Sequence, residues 1–141
     1  MIENEKLGNG DYDFSPIINV KKLTHYNNYF RKEIWTGTYS QITVMSIPAG
    51  GEIGLELHTD LDQILVVEYG VASVFMGKTK NSVTFNGYAN SNCAIIIPAG
   101  TYHNVINEQV YPLKLISIYA PPKHTVGTIH KTKFESDLEE Y

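Results

Sequence analysis

The sequence predicts an all-β domain, an antiparallel barrel or sandwich, and three observations carry that expectation. From residue 41 onward the apolar runs are short, rich in β-branched and aromatic residues, and bounded by Gly, Pro, Asn and Asp: QITVMSI (41–47), IGLELH (53–58), QILVVEY (63–69), VASVFM (71–76), SVTF (82–85), CAIII (93–97), HNVIN (103–107) and PLKLISIY (112–119). Strands at barrel or sandwich spacing have that signature. The stretch IPAG occurs twice, at 47–50 and 97–100, and each copy is followed by a histidine. Proline cannot donate a ladder hydrogen bond and glycine takes φ > 0 freely, so each copy ends one strand and turns the chain into the next. With only two copies, 50 residues apart, the pattern fits two halves of one barrel rather than a solenoid.

The third observation is that several runs are apolar on both faces. In QILVVEY, Gln63, Leu65 and Val67 share one face while Ile64 and Val66 share the other. PLKLISIY does the same with Leu113 and Leu115 against Ile116 and Ile118. A sheet with one wet face alternates more cleanly, so something covers the second face: the N-terminal segment, a partner subunit, or both. A homodimer is expected on this ground, two-fold symmetry being the commonest oligomeric arrangement.

A chain of 141 residues at 43% hydrophobic fits one domain. Residues 1–35 read as an arm that packs on the barrel or a partner, residues 36–122 as the barrel, and residues 123–141 as a tail whose end forms at most one short helical turn. Little other helix is expected. Net charge is -4 and Arg31 is the only arginine, which argues against nucleic acid as a partner. The N-terminus is polar and acidic, and no long apolar window follows, so the expectation is no membrane and a cytoplasmic location. The single cysteine, Cys93, has no disulfide partner and reads as a small buried hydrophobe.

The candidate site follows from the two turns. Glu56 and His58 are two apart on an expected strand, so both point to one face while Leu55 and Leu57 point to the other. After the turn TDLD, Gln63 opens the next strand, and in a hairpin of that length it lies across from His58. His103 arrives from the second turn. Glu56, His58, Gln63 and His103 then offer two imidazoles, one carboxylate and one amide oxygen to a divalent transition metal such as Zn, Mn, Fe or Ni. Gln63 reads equally as a group that orients a ligand without binding the ion.

On these residues the chain resembles the cupin superfamily over about residues 40–120. GGEIGLELHTDLDQILVVEYG is similar to the first cupin motif, with Glu56 at its first histidine and Gln63 at its glutamate. GYANSNCAIIIPAGTYHNVIN is similar to the second, at Gly87, Pro98, Gly100, His103 and Asn107. HTDLDQ and SIYAPP are further similar to single-domain cupins of the mannose-6-phosphate isomerase-like group. The resemblance implies a double-stranded β-helix, or jelly roll, with a metal inside the barrel.

Three functions are compatible with that set: a metal-dependent isomerase of a sugar or sugar phosphate, a non-haem iron dioxygenase with open coordination positions, and a non-catalytic binder of a small metabolite. An isomerase needs a base separate from Glu56, and the scarcity of arginine weighs against a phosphosugar. Tyr102 and Tyr119 are candidate pocket phenols, and His124 and His130 can reach the barrel mouth. His25 and the lysine pairs Lys21–Lys22 and Lys78, Lys80 read as structural or solvated. Gly70, Gly87 and Gly100 are expected in turns.

Overall fold

The computed structural model describes residues 15–139. Nine strands and two short helices follow in order: α1 (Val20–Tyr26), β1 (Arg31–Thr36), β2 (Gln41–Ile47), β3 (Asp62–Tyr69), β4 (Ala72–Gly77), β5 (Thr84–Ala89), β6 (Ala94–Ile97), β7 (Tyr102–Ile106), β8 (Leu113–Ala120), β9 (Ile129–His130) and α2 (Lys133–Glu139). They form two antiparallel sheets, one of six strands in the order β6-β3-β8-β2-β1-β9 and one of three in the order β5-β4-β7. The all-β jelly roll expected from the sequence is the architecture observed. Neither helix is long and apolar enough to cross a membrane among the described residues.

Between the sheets lies a core of Met45, Ile47, Leu65, Val67, Leu113 and Leu115 with the facing side chains of the small sheet, among them Val74 and Val105. Pairing of Met45 with Leu115 and of Val67 with Leu115 lays these apolar residues in one row of the inner face. The next rows are polar: Thr43 pairs with Ser117, and Tyr119 pairs with both Gln41 and Gln63. All five are buried. One end of the barrel is therefore an ordinary hydrophobic core, and the other is a buried polar layer.

The outer face of the large sheet is covered by the chain itself. Asn19 caps α1, its side chain accepting from Lys22 N at 2.9 Å, and Ile18, Val20 and Leu23 pack against Ile34, Val44 and Ile116. This is why β2 and β8 are apolar on both faces. The large sheet also takes in β1, inside the segment expected as an arm, and β9, inside the expected tail, so the sheet reaches past 36–122 on both sides. The acidic stretch at 1–14 lies outside the described residues.

Four local expectations are corrected. Residues 53–58 form no continuous strand, because Gly54 sits at φ +105, and only isolated bridges join Glu52 to Ile106 and Glu56 to His103. Gln63 is not across from His58: segment 52–58 bridges to β7, whereas β3 pairs with β6 and β8, which sets Gln63 opposite Ile97 and Tyr119. Gly87 lies not in a turn but at a bulge inside β5, at φ +141, where the register with β4 shifts. Cys93 is exposed, because it closes the turn from Asn90 ahead of β6 and its N–H donates to Asn90 O at 3.0 Å.

The IPAG turns behave as their residues require. Gly50 and Gly100 adopt φ +75 and +83, conformations that cost glycine little. Each turn is held by the other motif. Asn107, fully buried, donates through Nδ2 to the carbonyls of Ile47, Pro48 and Tyr111 at 2.9–3.1 Å. Gly100 N in turn donates to His58 O at 2.7 Å, and Ala99 N to Asp62 Oδ1 at 2.9 Å.

Candidate metal centre

Glu56, His58 and His103 converge. Glu56 Oε1 lies 3.5 Å from His58 Nε2 and 3.5 Å from His103 Nε2, and the three ligand atoms fall within 4.8 Å of one another. The alternation read from the sequence survives the broken strand, since Leu55 and Leu57 are exposed while His58 is buried. Glu56 is positioned through its backbone: its N–H donates to His103 O at 2.9 Å and its carbonyl accepts from His103 N at 3.0 Å.

The imidazoles are set up to ligate. His103 Nδ1 lies 3.0 Å from Thr101 O; a carbonyl only accepts, so Nδ1 carries the proton and Nε2 presents its lone pair. Nε2 of both His58 and His103 is buried with no hydrogen-bond partner among the described residues. Buried polar atoms are seldom left so. Burial alone would raise the Glu56 pKa, but the imidazoles of His103 and His58 and the charge of Arg31 outweigh it and hold the carboxyl well below the usual carboxylate range. Two imidazole nitrogens and a carboxylate that stays anionic fit a divalent transition metal.

Gln63 belongs to the same interior. It is 2% exposed, its Nε2 donates to Ser117 Oγ at 2.9 Å, and its Oε1 has no partner among the described residues. With the amide hydrogens directed to Ser117, the oxygen is the end left for the site.

A second cluster adjoins the first. The ring centroids of His58 and Tyr119 are 6.3 Å apart, and Tyr119 OH lies 3.3 Å from His124 Nε2. Burial drives the Tyr119 pKa up, so the phenol keeps its proton. Burial, with Arg31, Lys123 and His130 nearby, pushes the His124 pKa down to about 3. Gln41 fixes this turn: its Oε1 accepts from His124 N at 2.9 Å and Lys123 N at 3.1 Å, and its Nε2 donates to His124 O at 2.7 Å. Of the two tyrosines singled out in the sequence, only Tyr119 faces inward; Tyr102 precedes His103 on β7 and so points to the other face.

The sequence reading passed over Arg31 and Gln41. Arg31, 1% exposed, donates from Nη1 to His130 Nδ1 at 3.0 Å and to Ser136 Oγ at 2.7 Å. His130 Nε2 then lies 2.6 Å from Glu139 Oε1. One signal was present: an isolated arginine between Phe30 and the alternating run of β1. A cavity of about 350 Å³ opens beside the centre, walled by residues 53–58 on one side and by Lys123, Lys133, Ser136 and Asp137 on the other.

No family model matches the chain. It is 46% identical over 135 residues to YrkC of Bacillus subtilis (strain 168), an alignment spanning 95% of this chain and 73% of YrkC. The crystal structure of BH2720 from Bacillus halodurans is likewise 46% identical, with a TM-score of 0.86 over 91% of this chain and 98% of that one. The cupin domain of Schizosaccharomyces pombe Cnp3, at 16% identity, shares the fold with a TM-score of 0.57 over 77% of this chain and 68% of that domain. By its identity to YrkC across nearly its whole length the chain belongs to the YrkC family, and its barrel has the fold of a cupin domain.

Proposed function

We propose that this protein binds a divalent metal through Glu56, His58 and His103, with Gln63 beside them, and acts on a small polar metabolite that enters the adjoining cavity. The observation that carries the reading is the pair of buried, unpartnered Nε2 atoms facing one anionic carboxylate. A bound ion would supply Lewis-acid polarisation of a substrate oxygen.

The chain's own groups supply hydrogen bonding beside the ligand set. His124 is neutral at ordinary pH, and with a pKa of about 3 it offers a ring nitrogen as a hydrogen-bond acceptor rather than as a strong base. Tyr119 stays protonated and able to donate a hydrogen bond. Gln41 holds the His124 turn against the inner face of the barrel. This pair stands apart from the ligand set and is placed to orient a substrate oxygen by hydrogen bonding. Isomerisation of a sugar or sugar phosphate, the chemistry suggested by the likeness to the mannose-6-phosphate isomerase-like group, is the first reading.

A second reading rests on the ligand set: two imidazoles and one carboxylate match the set used by non-haem iron oxygenases. One experiment separates the two. Protein purified without a metal-affinity tag is analysed for metal, then incubated in D2O with a panel of aldoses, ketoses and their phosphates. Deuterium incorporation into sugar supports the isomerase. Stoichiometric iron, oxygen uptake and no exchange overturn it in favour of the oxygenase, and no metal after supply of Mn, Fe, Ni and Zn overturns both.

We further propose a homodimer. α1 covers β1, β2 and β8, but Ile96 on the edge strand β6 is exposed, and an open hydrophobic edge strand invites pairing. Sedimentation of the wild type and Ile96→Asp tests this, a monomeric wild type being the result that sinks it.

A further inference from the structure

The polar layer contains an unbalanced charge. Arg31 is the only arginine of the chain, it is 1% exposed, and no carboxylate lies within ion-pair distance of it among the described residues. Its Nη1 hydrogens are accounted for by His130 and Ser136. Its Nε is buried with no partner among the described residues. Glu139 reaches it only through the His130 ring, whose Nδ1 accepts from Arg31. The one carboxylate of β1, Glu33, is turned to Thr36 Oγ1 and Gly127 N.

Burying a guanidinium without an anion is costly. Elsewhere on the inner face, Thr43 Oγ1 and Gln63 Oε1 are also buried without a partner among the described residues. The guanidinium also acts as a cation on Glu56, Tyr119 and His124. Its charge is therefore felt by both the metal centre and the Tyr119–His124 pair. Ser136, its partner on α2, also lines the 350 Å³ cavity, whose rim carries Lys123 and the Lys133–Asp137 ion pair. With a divalent ion in place, the single carboxylate Glu56 leaves this interior with an excess of positive charge.

We propose that Arg31 is the anion-binding half of the ligand site: an oxyanion group of the metabolite, carboxylate or phosphate, docks on the Arg31 guanidinium and the Tyr119 hydroxyl. The ligand class is thus a small anionic metabolite. Planar bidentate recognition of such groups is what a guanidinium does better than an ammonium. This deepens the functional reading above, but the anion contact needs no metal and is tested without one.

Because there is one arginine, uniformly 15N-labelled protein gives one arginine Nε–H signal, and it reports Arg31 alone. Metal-free protein is titrated with sodium acetate, sodium succinate and sodium phosphate, with sodium chloride as the ionic-strength control. The expected result is a saturable shift of that signal with at least one of the three oxyanions and none with chloride; acetate or succinate acting alone identifies a carboxylate, phosphate alone a phosphoryl group. No shift with any of them, or the same shift with chloride, overturns the proposal. In Arg31→Lys the Tm rise that the effective anion gives the wild type should need at least tenfold more anion. A merely structural arginine would lower the Tm of the variant and leave its anion dependence unchanged. Metal content in His58→Ala and His103→Ala is a separate readout, so failure of the metal reading and failure of the anion site are distinguishable.

Discussion

Glu56 and His103 are joined by two backbone hydrogen bonds, one in each direction, at 2.9 and 3.0 Å. Two candidate ligands from distant parts of the chain are thereby fixed at the level of the main chain, before any side chain is placed. The carboxylate then reaches the imidazole of its own bridge partner and that of His58 at equal distances of 3.5 Å.

The first consequence concerns metal. Loaded protein should carry close to one divalent ion per chain, and His58→Ala and His103→Ala should each lose it, as read by elemental analysis after gel filtration. Since the ion binds only the folded chain, the wild type should gain about 2.7 kcal/mol of stability at a free metal concentration one hundred times the Kd. Neither variant should gain anything from added metal in the same thermal melt.

Gln63→Leu should separate the stability of the barrel from its metal affinity. Outer groups that orient ligands are typically worth about 10- to 100-fold in affinity, and a direct amide ligand more. The variant gives up the Nε2 bond to Ser117 Oγ but also removes a buried oxygen that has no partner; these effects oppose each other, so the metal-free Tm should change little. A large drop in that Tm with unchanged metal affinity would show that Gln63 is a packing residue.

Asn107→Ala should destabilise the protein without touching a ligand. It strips a donor from three carbonyls at once, and a buried acceptor left unpaired costs about 1–3 kcal/mol. A loss of about 3 kcal/mol in urea denaturation is expected. A loss below about 0.5 kcal/mol, the range of ordinary surface changes, would mean that water takes over all three bonds.

His124 gives the protein an acid sensitivity. Its pKa is depressed in the folded state, from the ordinary histidine value to about 3, chiefly by burial. Between those two pH values the unfolded chain binds the extra proton and the folded chain does not, so stability falls as pH falls through about 6.5 and continues to fall toward 3. The urea midpoint of His124→Gln should decline less over pH 6.5 to 4 than that of the wild type; equal slopes would refute the assignment.

How much of this was legible in the sequence depends on range. Strand runs, the IPAG turns and the inward pointing of Glu56, His58 and His103 follow from period-two alternation and from proline and glycine, all local properties. The coverage of the outer face by α1 was one of the alternatives the two-sided strands implied. Which strand neighbours which is not local, and there the hairpin assumption misplaced Gln63, which sits beside Tyr119 instead. Gly54 at φ +105 broke a strand that composition alone supports. The roles of Arg31 and Gln41 lie in partners 82 to 105 residues away, and no periodicity encodes those.

The reciprocal holding of the two turns bears on how a metal would arrive. Asn107 of one motif secures the first turn, and the carbonyl of His58 secures the second. The ligands are therefore preorganised by the main chain, and the ordering cost that a folding metal domain meets on binding has here been met in making the barrel. Removal of the ion should leave the mouth of the barrel closed, with the amides of Glu56, Gly100 and His103 as slow to exchange with solvent as those of the core. A barrel built this way would act as a ready-made chelator, selecting its ion by fit instead of being shaped by it.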